Sequence, residues 1–179
     1  MLGPNGAGKT TAFYIAAGLI FPDHGRVFIN NKDVTEIPMH SRAKLGLGYL
    51  PQEASIFTDL SVENNLLGIA ELSNNDKDQT FKKVARIIDE FELNKILQLK
   101  GRMLSGGQRR KVEIARTLIC EPSIILLDEP FAGIDPIAVE EIKELLKEIC
   151  KKNISILITD HNVRETLSLI HISEPTRPY

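Results

Sequence analysis

The sequence predicts an α/β fold with a mostly parallel sheet, a small antiparallel element and a helical subdomain. Three observations carry that prediction. A glycine-rich turn, "GPNGAGKTT", runs directly into a helix-forming stretch. Two apolar runs, "IILLDEP" and "ISILITDH", end in polar side chains, as buried parallel strands do where they deliver ligand groups. Helical apolar stripes lie between these runs, and strands alternating with helices build a layered α/β domain.

Taken in order, the chain begins with Met1 and Leu2 before Gly3, so the strand that ordinarily aims such a turn is expected to be nearly absent. Lys9 to Leu19 reads as a helix. "GRVFINNKDV" alternates apolar and polar residues about Asn30 and Asn31, the pattern of a hairpin. "LGLGYLPQ" is a short strand ending at Pro51, and Ser61 opens a helix running to Glu71. The polar stretch "SNNDKD", 73–78, reads as a surface linker. Phe81, Val84, Ala85, Ile88 and Phe91 then recur at helical spacing and predict one buried stripe. "LSGGQ" precedes another helix, and "SIILLDEP" reads as a central strand. Asp135 and Pro136 predict the start of a helix with Ala138, Ile142, Leu145, Leu146 and Ile149 on one face and the pairs Glu140/Lys143 and Glu144/Lys147 outside. "ISILITDH" is a second buried strand. The domain is expected to span 1–168 with its C-terminal end cut short, and 169–179 reads as a non-native, adaptor-derived tail.

Bulk properties exclude several classes of function. A chain of 179 residues with 42% hydrophobic residues can bury one sizeable core. Its net charge of -2 supplies no basic field for nucleic acid, so DNA and RNA are not expected partners. No apolar run reaches the ~20 residues of a membrane span, so no direct membrane insertion is expected. Cys120 and Cys150 lack metal-ligand spacing and read as buried reduced thiols.

Gly3 to Thr11 satisfies the phosphate-loop pattern G-x-x-x-x-G-K-[ST]. Gly3, Gly6 and Gly8 let the backbone wrap phosphates, Lys9 reaches the β- and γ-phosphates, and Thr10 offers its hydroxyl to Mg²⁺. Asp128 is the expected acid on the magnesium side. Glu129 beside it is a candidate general base for the water attacking the γ-phosphate, or else a second surface carboxylate. "LSGGQ" poses a puzzle, because its two glycines at a helix start form a second phosphate-binding turn in a chain that already has one.

These motifs, with the glutamine of "YLPQ", "AGID" and "TDH", resemble in order and spacing the nucleotide-binding subunits of ATP-binding cassette transporters, over Met1 to about Leu167. The resemblance implies a P-loop NTPase fold of that ATPase type, with ATP and Mg²⁺ as cofactors. It places Gly3, Pro4, Asn5, Gly6, Ala7, Gly8, Lys9, Thr10 and Thr11 in the Walker A loop. Gln52 becomes the Q-loop residue, a ligand of Mg²⁺ with Thr10 and Asp128 and a catalytic group with Glu129 and His161. Asp135 falls in the D-loop. Ser105, Gly106, Gly107 and Gln108 form the signature, which in this family covers ATP seated in the partner subunit. A head-to-tail homodimer with two shared ATP sites is therefore implied, which resolves the puzzle of the second turn.

Finer vocabulary, "GYLPQEASIF", "RRKVEIARTL", "EPFAGIDPIAV" and "DHNVRETL", resembles the lipopolysaccharide-export branch of the family. That implies a cytoplasmic protein, peripheral on the bacterial inner membrane, which powers lipopolysaccharide extraction. Branched-chain amino-acid importers share much of this vocabulary, and cassette-type translation factors are the alternative from another class. The region from Gln52 to Ser61 is the expected contact for integral-membrane subunits, with Phe57 and Leu60 either lining that contact or closing the local core. An adenine-stacking aromatic, which the family carries near its N-terminus, is not assigned.

Overall fold

A computed structural model of the chain describes residues 8–73 and 77–160. Gly3, Pro4, Asn5, Gly6, Ala7, His161 and the tail at 169–179 lie outside the described residues.

Helix α1 (Lys9–Ala17) starts from Gly8 and stops at Gly18, both in the left-handed region at φ 79°. The helix is two residues shorter than its sequence pattern predicts. Gly18 ends it by turning the chain left-handed, a conformation that glycine adopts without a Cβ penalty. A Cβ at Gly18 would also lie 2.7 Å from Arg42 Nε. Strands β1 (Phe28–Ile29) and β2 (Lys32–Asp33) then pair antiparallel. Asn30 and Asn31 stand between them at φ 50° and 62°, the two positive angles that a tight two-residue hairpin turn demands.

Helix α2 (Met39–Ala43) carries the fully buried Arg42. Its guanidinium donates to the carbonyls of Ile15 (2.5 Å), Ala16 (2.8 Å), Ile37 (2.7 Å) and Thr35 (3.1 Å). The last carbonyls of α1 have few backbone donors, Ile15 O sharing the Gly18 amide at 3.2 Å, so this side chain adds donors there and ties α1 to the segment after the hairpin.

The main sheet is parallel among the described residues. Strand β3 (Leu47–Leu50) pairs with β4 (Ile124–Asp128), which pairs with β5 (Ser155–Thr159). β4 is central and buried on both faces, so it reads as a continuous apolar run. Alternation splits its side chains. Leu126 joins Phe13, Ala17 and the antiparallel element, whereas Ile125 and Leu127 join the larger core on the opposite face. β5, expected as a fully buried strand, is only half-buried up to Ile158, because among the described residues it has a paired neighbour on one side alone.

Between β3 and β4 the chain builds the helical subdomain from α3 (Val62–Ser73), α4 (Lys77–Glu90) and α5 (Gly106–Ile119), which pack on one another. The Ser61 hydroxyl accepts from Asn64 N at 3.1 Å and caps the first of these. The described residues of the predicted linker at 73–78 are helical: Ser73 closes α3, while Lys77 and Asp78 open α4, where an acid suits the helix dipole. The stripe on α4 is rotated from its predicted centre. Val84, Ile88 and Phe91 are buried as expected, but Phe81 is 57% exposed, Ala85 is exposed, and Thr80 and Ile87 take the inward positions. Cys120 and Cys150, expected inside, are exposed as residues, since each ends its helix on the outward side. Local packing still desolvates both thiols enough to push their pKa up.

Helix α6 (Pro136–Lys151) begins as predicted, with Asp135 accepting from Ala138 N at 3.0 Å and Pro136 at the first helical position. Val139, Ile142, Leu146 and Ile149 face the core, and the Glu140/Lys143 and Glu144/Lys147 pairs form at 2.8 and 2.6 Å, but Lys143, expected outside, is buried next to Ile142 while its ammonium reaches the exposed Glu140. Replacing Asp135 with Ala removes the acceptor for one otherwise unpaired amide and is expected to cost about 1 kcal/mol. A thermal melt should fall by about 2–4 °C. An unshifted midpoint would show that water caps α6 equally well.

Candidate active site at the strand ends

The site is built where β3, β4 and β5 deliver their C-terminal ends. Pro51 ends the first of these, since it has no N–H to continue a ladder, and Gln52 follows at once. β4 ends in the buried Asp128, whose carboxylate accepts from the Thr159 hydroxyl on β5. Glu129 comes next, at φ 42°, a left-handed conformation rare for a residue with a side chain. Its amide donates to Thr159 O at 2.9 Å. This turn throws the Glu129 side chain back toward β3, where Gln52 Nε2 donates to Glu129 Oε2 at 3.0 Å. Two residues 77 positions apart in sequence thus meet at the mouth of the sheet.

Lys9 is buried in the first turn of α1, a helix that packs against β4 and β5. Thr10 and Thr11 are exposed on the same turn. Tyr49 on β3 has its hydroxyl pushed up to about 12, first by burial and then by the charge of Asp128, so it remains a neutral donor at any physiological pH.

Ser105, Gly106, Gly107 and Gln108 form the start of α5. The Ser105 hydroxyl accepts from Gln108 N at 3.2 Å, and Gln108 Oε1 accepts from Ser105 N at 3.1 Å, a reciprocal capping box. Gly107 has a packing reason to be glycine: a Cβ there would come within 2.4 Å of Ala138 Cβ on α6. Gly106 has no such constraint, its hypothetical Cβ lying 3.5 Å from Gly133 O. This motif gathers on its own helix start rather than joining Gln52 and Glu129 through hydrogen bonds of its capping side chains.

Phe57 and Leu60 do not close the core, being 52% and 42% exposed. Ile56, at 6%, fills that place. The Arg116 guanidinium lies 4.7 Å from the centroid of the Phe57 ring, a cation–π contact on the surface. Asn65 holds the loop from below, accepting from Phe57 N at 2.9 Å and donating to Phe57 O at 3.0 Å.

Sequence reasoning passed over Thr159, Tyr49, Arg110 and Glu113. A signal existed for one of them: Gly107, Arg110, Ile114 and Leu118 recur at helical spacing, so Arg110 falls on an apolar stripe.

Phosphate-loop sequence, strand-end carboxylates, signature turn and parallel sheet together point to an ATP-binding cassette, and the chain belongs to the ABC transporter family, whose model matches residues 1–132. It is the ATP-hydrolysing type of subunit. Among relatives, it is 50% identical over 169 residues to the lipopolysaccharide export system ATP-binding protein LptB of Acidithiobacillus ferridurans, a match covering 94% of this chain and 70% of that protein. Among solved structures, the ATP-binding cassette MJ1267 superposes with a TM-score of 0.84 at 30% identity, covering 94% of this chain and 72% of that one. A dimeric post-hydrolysis state of the cassette MJ0796 bound to ADP and Pi matches with a TM-score of 0.78 at 26% identity, over 92% of this chain and 74% of the other.

Proposed function

We propose that the chain hydrolyses Mg-ATP as one half of a homodimer and that this powers lipopolysaccharide extraction by integral-membrane subunits, from the cytoplasmic face of the bacterial inner membrane. The observation that carries the catalytic part is the 3.0 Å hydrogen bond from Gln52 to Glu129. A carboxylate held in place at the strand ends by this bond is oriented before the water arrives, and taking a proton from that water is the task of a general base. His161 is assigned to the γ-phosphate side by resemblance. Lys9 supplies the positive charge facing the β- and γ-phosphates, with the amides of the glycine-rich loop around it.

Thr10, Gln52 and Asp128 offer a hydroxyl, an amide oxygen and a carboxylate, all hard oxygen donors of the kind Mg²⁺ takes. Gln52 uses its amide nitrogen on Glu129, which leaves its amide oxygen for a cation. Mg²⁺ bound by these three would neutralise charge on the phosphates.

The likeness to an LptB protein supports lipopolysaccharide as cargo. The exposed Phe57 and Leu60 support 52–61 as the surface that meets the membrane subunits. No described helix is long and apolar enough to cross a membrane.

The shared site is tested by mixing. Ser105→Arg should bind ATP without hydrolysing it, and Lys9→Ala should lose nucleotide affinity. In a mixed dimer one site carries both lesions and the other neither, so partial recovery of ATPase activity is expected. Mixed dimers that form but never recover activity would defeat the shared site. For cargo, vesicles containing lipopolysaccharide and the membrane subunits should release it only with ATP and this chain. ATP turnover without release would remove that assignment.

A further inference from the structure

Arg110 and Glu113 lie three residues apart on the buried face of α5, and neither has a part in the site as described. The guanidinium of Arg110 uses each of its five N–H donors. Nε donates to Pro130 O (3.1 Å), Nη1 to Pro51 O (2.8 Å) and Glu113 Oε2 (3.3 Å), and Nη2 to Asp128 O (3.2 Å) and Glu129 O (3.4 Å). One rigid, planar group therefore holds the main chain immediately before Gln52 and on both sides of Glu129.

Glu113 completes the arrangement. It is 2% exposed, and its second oxygen accepts from Ser55 N at 2.6 Å and Ile56 N at 3.2 Å. The stretch from Pro51 to Ile56 is thus pinned at both ends, with Gln52 between the pins.

We propose that Glu113, acting through Arg110, is a positioning residue that sets where Gln52 meets Glu129; the inference rests on the functional reading above. The ladder between β3 and β4 cannot do this itself. The last register pair between β3 and β4 is Leu50 with Leu127, so Gln52 and Glu129 lie past the end of that ladder. Glu129 also holds a left-handed backbone that surrounding bonds must maintain. Arg110 fixes the carbonyls of that turn, and Glu113 is the carboxylate hydrogen-bonded to Arg110 in the interior. Removing Glu113 deprives a buried cation of this partner and frees it to leave the carbonyls it holds. Phosphate binding is left alone, because Gly8, Lys9 and Thr10 belong to α1 and not to this pair.

The test compares Glu113→Gln and Glu113→Ala in the full chain, with Ile149→Val as a core-destabilising control remote from the site residues in sequence. Glu113→Gln keeps an oxygen for the Ser55 and Ile56 amides but removes the charge facing Arg110. It is expected to lower kcat about tenfold, the scale of a small misplacement of a catalytic group, with KM for ATP within about twofold of the parent. Glu113→Ala should fall further and should also speed hydrogen exchange at the Ser55 and Ile56 amides, which Glu113→Gln should leave near parental. Ile149→Val should lower the melting temperature and spare kcat. A kcat for Glu113→Gln within twofold of the parent overturns the inference, and so does an equal loss in Ile149→Val. If Glu113→Ala does not fold, Glu113→Gln decides alone. A parent chain that turns over no ATP overturns the functional reading and this inference with it, whereas an active parent with an unaffected Glu113→Gln overturns this inference only.

Discussion

Glu129→Gln is expected to leave ATP bound and to lower kcat by about a hundredfold or more, the range that general bases contribute. The substituted amide fits the same space and can still meet Gln52, so the geometry that holds the water changes little. It cannot accept the water's proton. ATP should therefore accumulate unhydrolysed, and under the proposed head-to-tail pairing the nucleotide should hold two chains together. Single-turnover hydrolysis and gel filtration at saturating Mg-ATP read the two consequences. Hydrolysis within threefold of the parent would mean that another group takes the proton, and a monomer at saturating Mg-ATP would count against nucleotide acting as the glue.

Arg42→Ala is expected to lower stability by about 3 kcal/mol, because it takes the guanidinium donors from the half-buried carbonyls of Ala16, Thr35 and Ile37 and removes the cation at the end of α1. In a chain of 179 residues that corresponds to a fall of about 6–12 °C in the unfolding midpoint. Arg42→Lys makes the comparison sharper. An ammonium is a point charge, unable to reproduce a planar fork that reaches Ile15, Ala16, Ile37 and Thr35 together, so it should recover only part of the loss. A midpoint unchanged in Arg42→Ala would show that the four carbonyls find other donors.

The legible parts of this protein are those whose physics is local or periodic. Asn30 and Asn31 announce a hairpin because few residues accept consecutive left-handed angles. Asp135 with Pro136 announces a helix start because both act within one turn. The continuous apolar run at Ile124–Asp128 announces a central strand because only such a strand is buried on both faces. The family was legible as well, since its motifs require particular residue types at short, fixed spacings.

Other features were settled only by packing. The stripe on α4 includes Thr80 and Ile87 and leaves Phe81 outside, because the helices that α4 meets select its buried face, and periodicity alone leaves that rotation open by a residue or so. Gly107 is required by Ala138, 31 positions away, through a contact between two helices. Arg42 and Glu113 carry no local signal of burial, and Arg110 only its place on an apolar stripe, yet all three are buried, because carbonyls and amides from distant segments converge on them. The meeting of Gln52 with Glu129 belongs to the same class. By itself, then, the sequence determined the α/β architecture and the cassette family, through propensities and spacings that act over a few residues. The tertiary structure alone decided which charges are interior struts and how the strand-end groups are aimed, because those depend on hydrogen-bond partners that are neighbours only after the chain has folded.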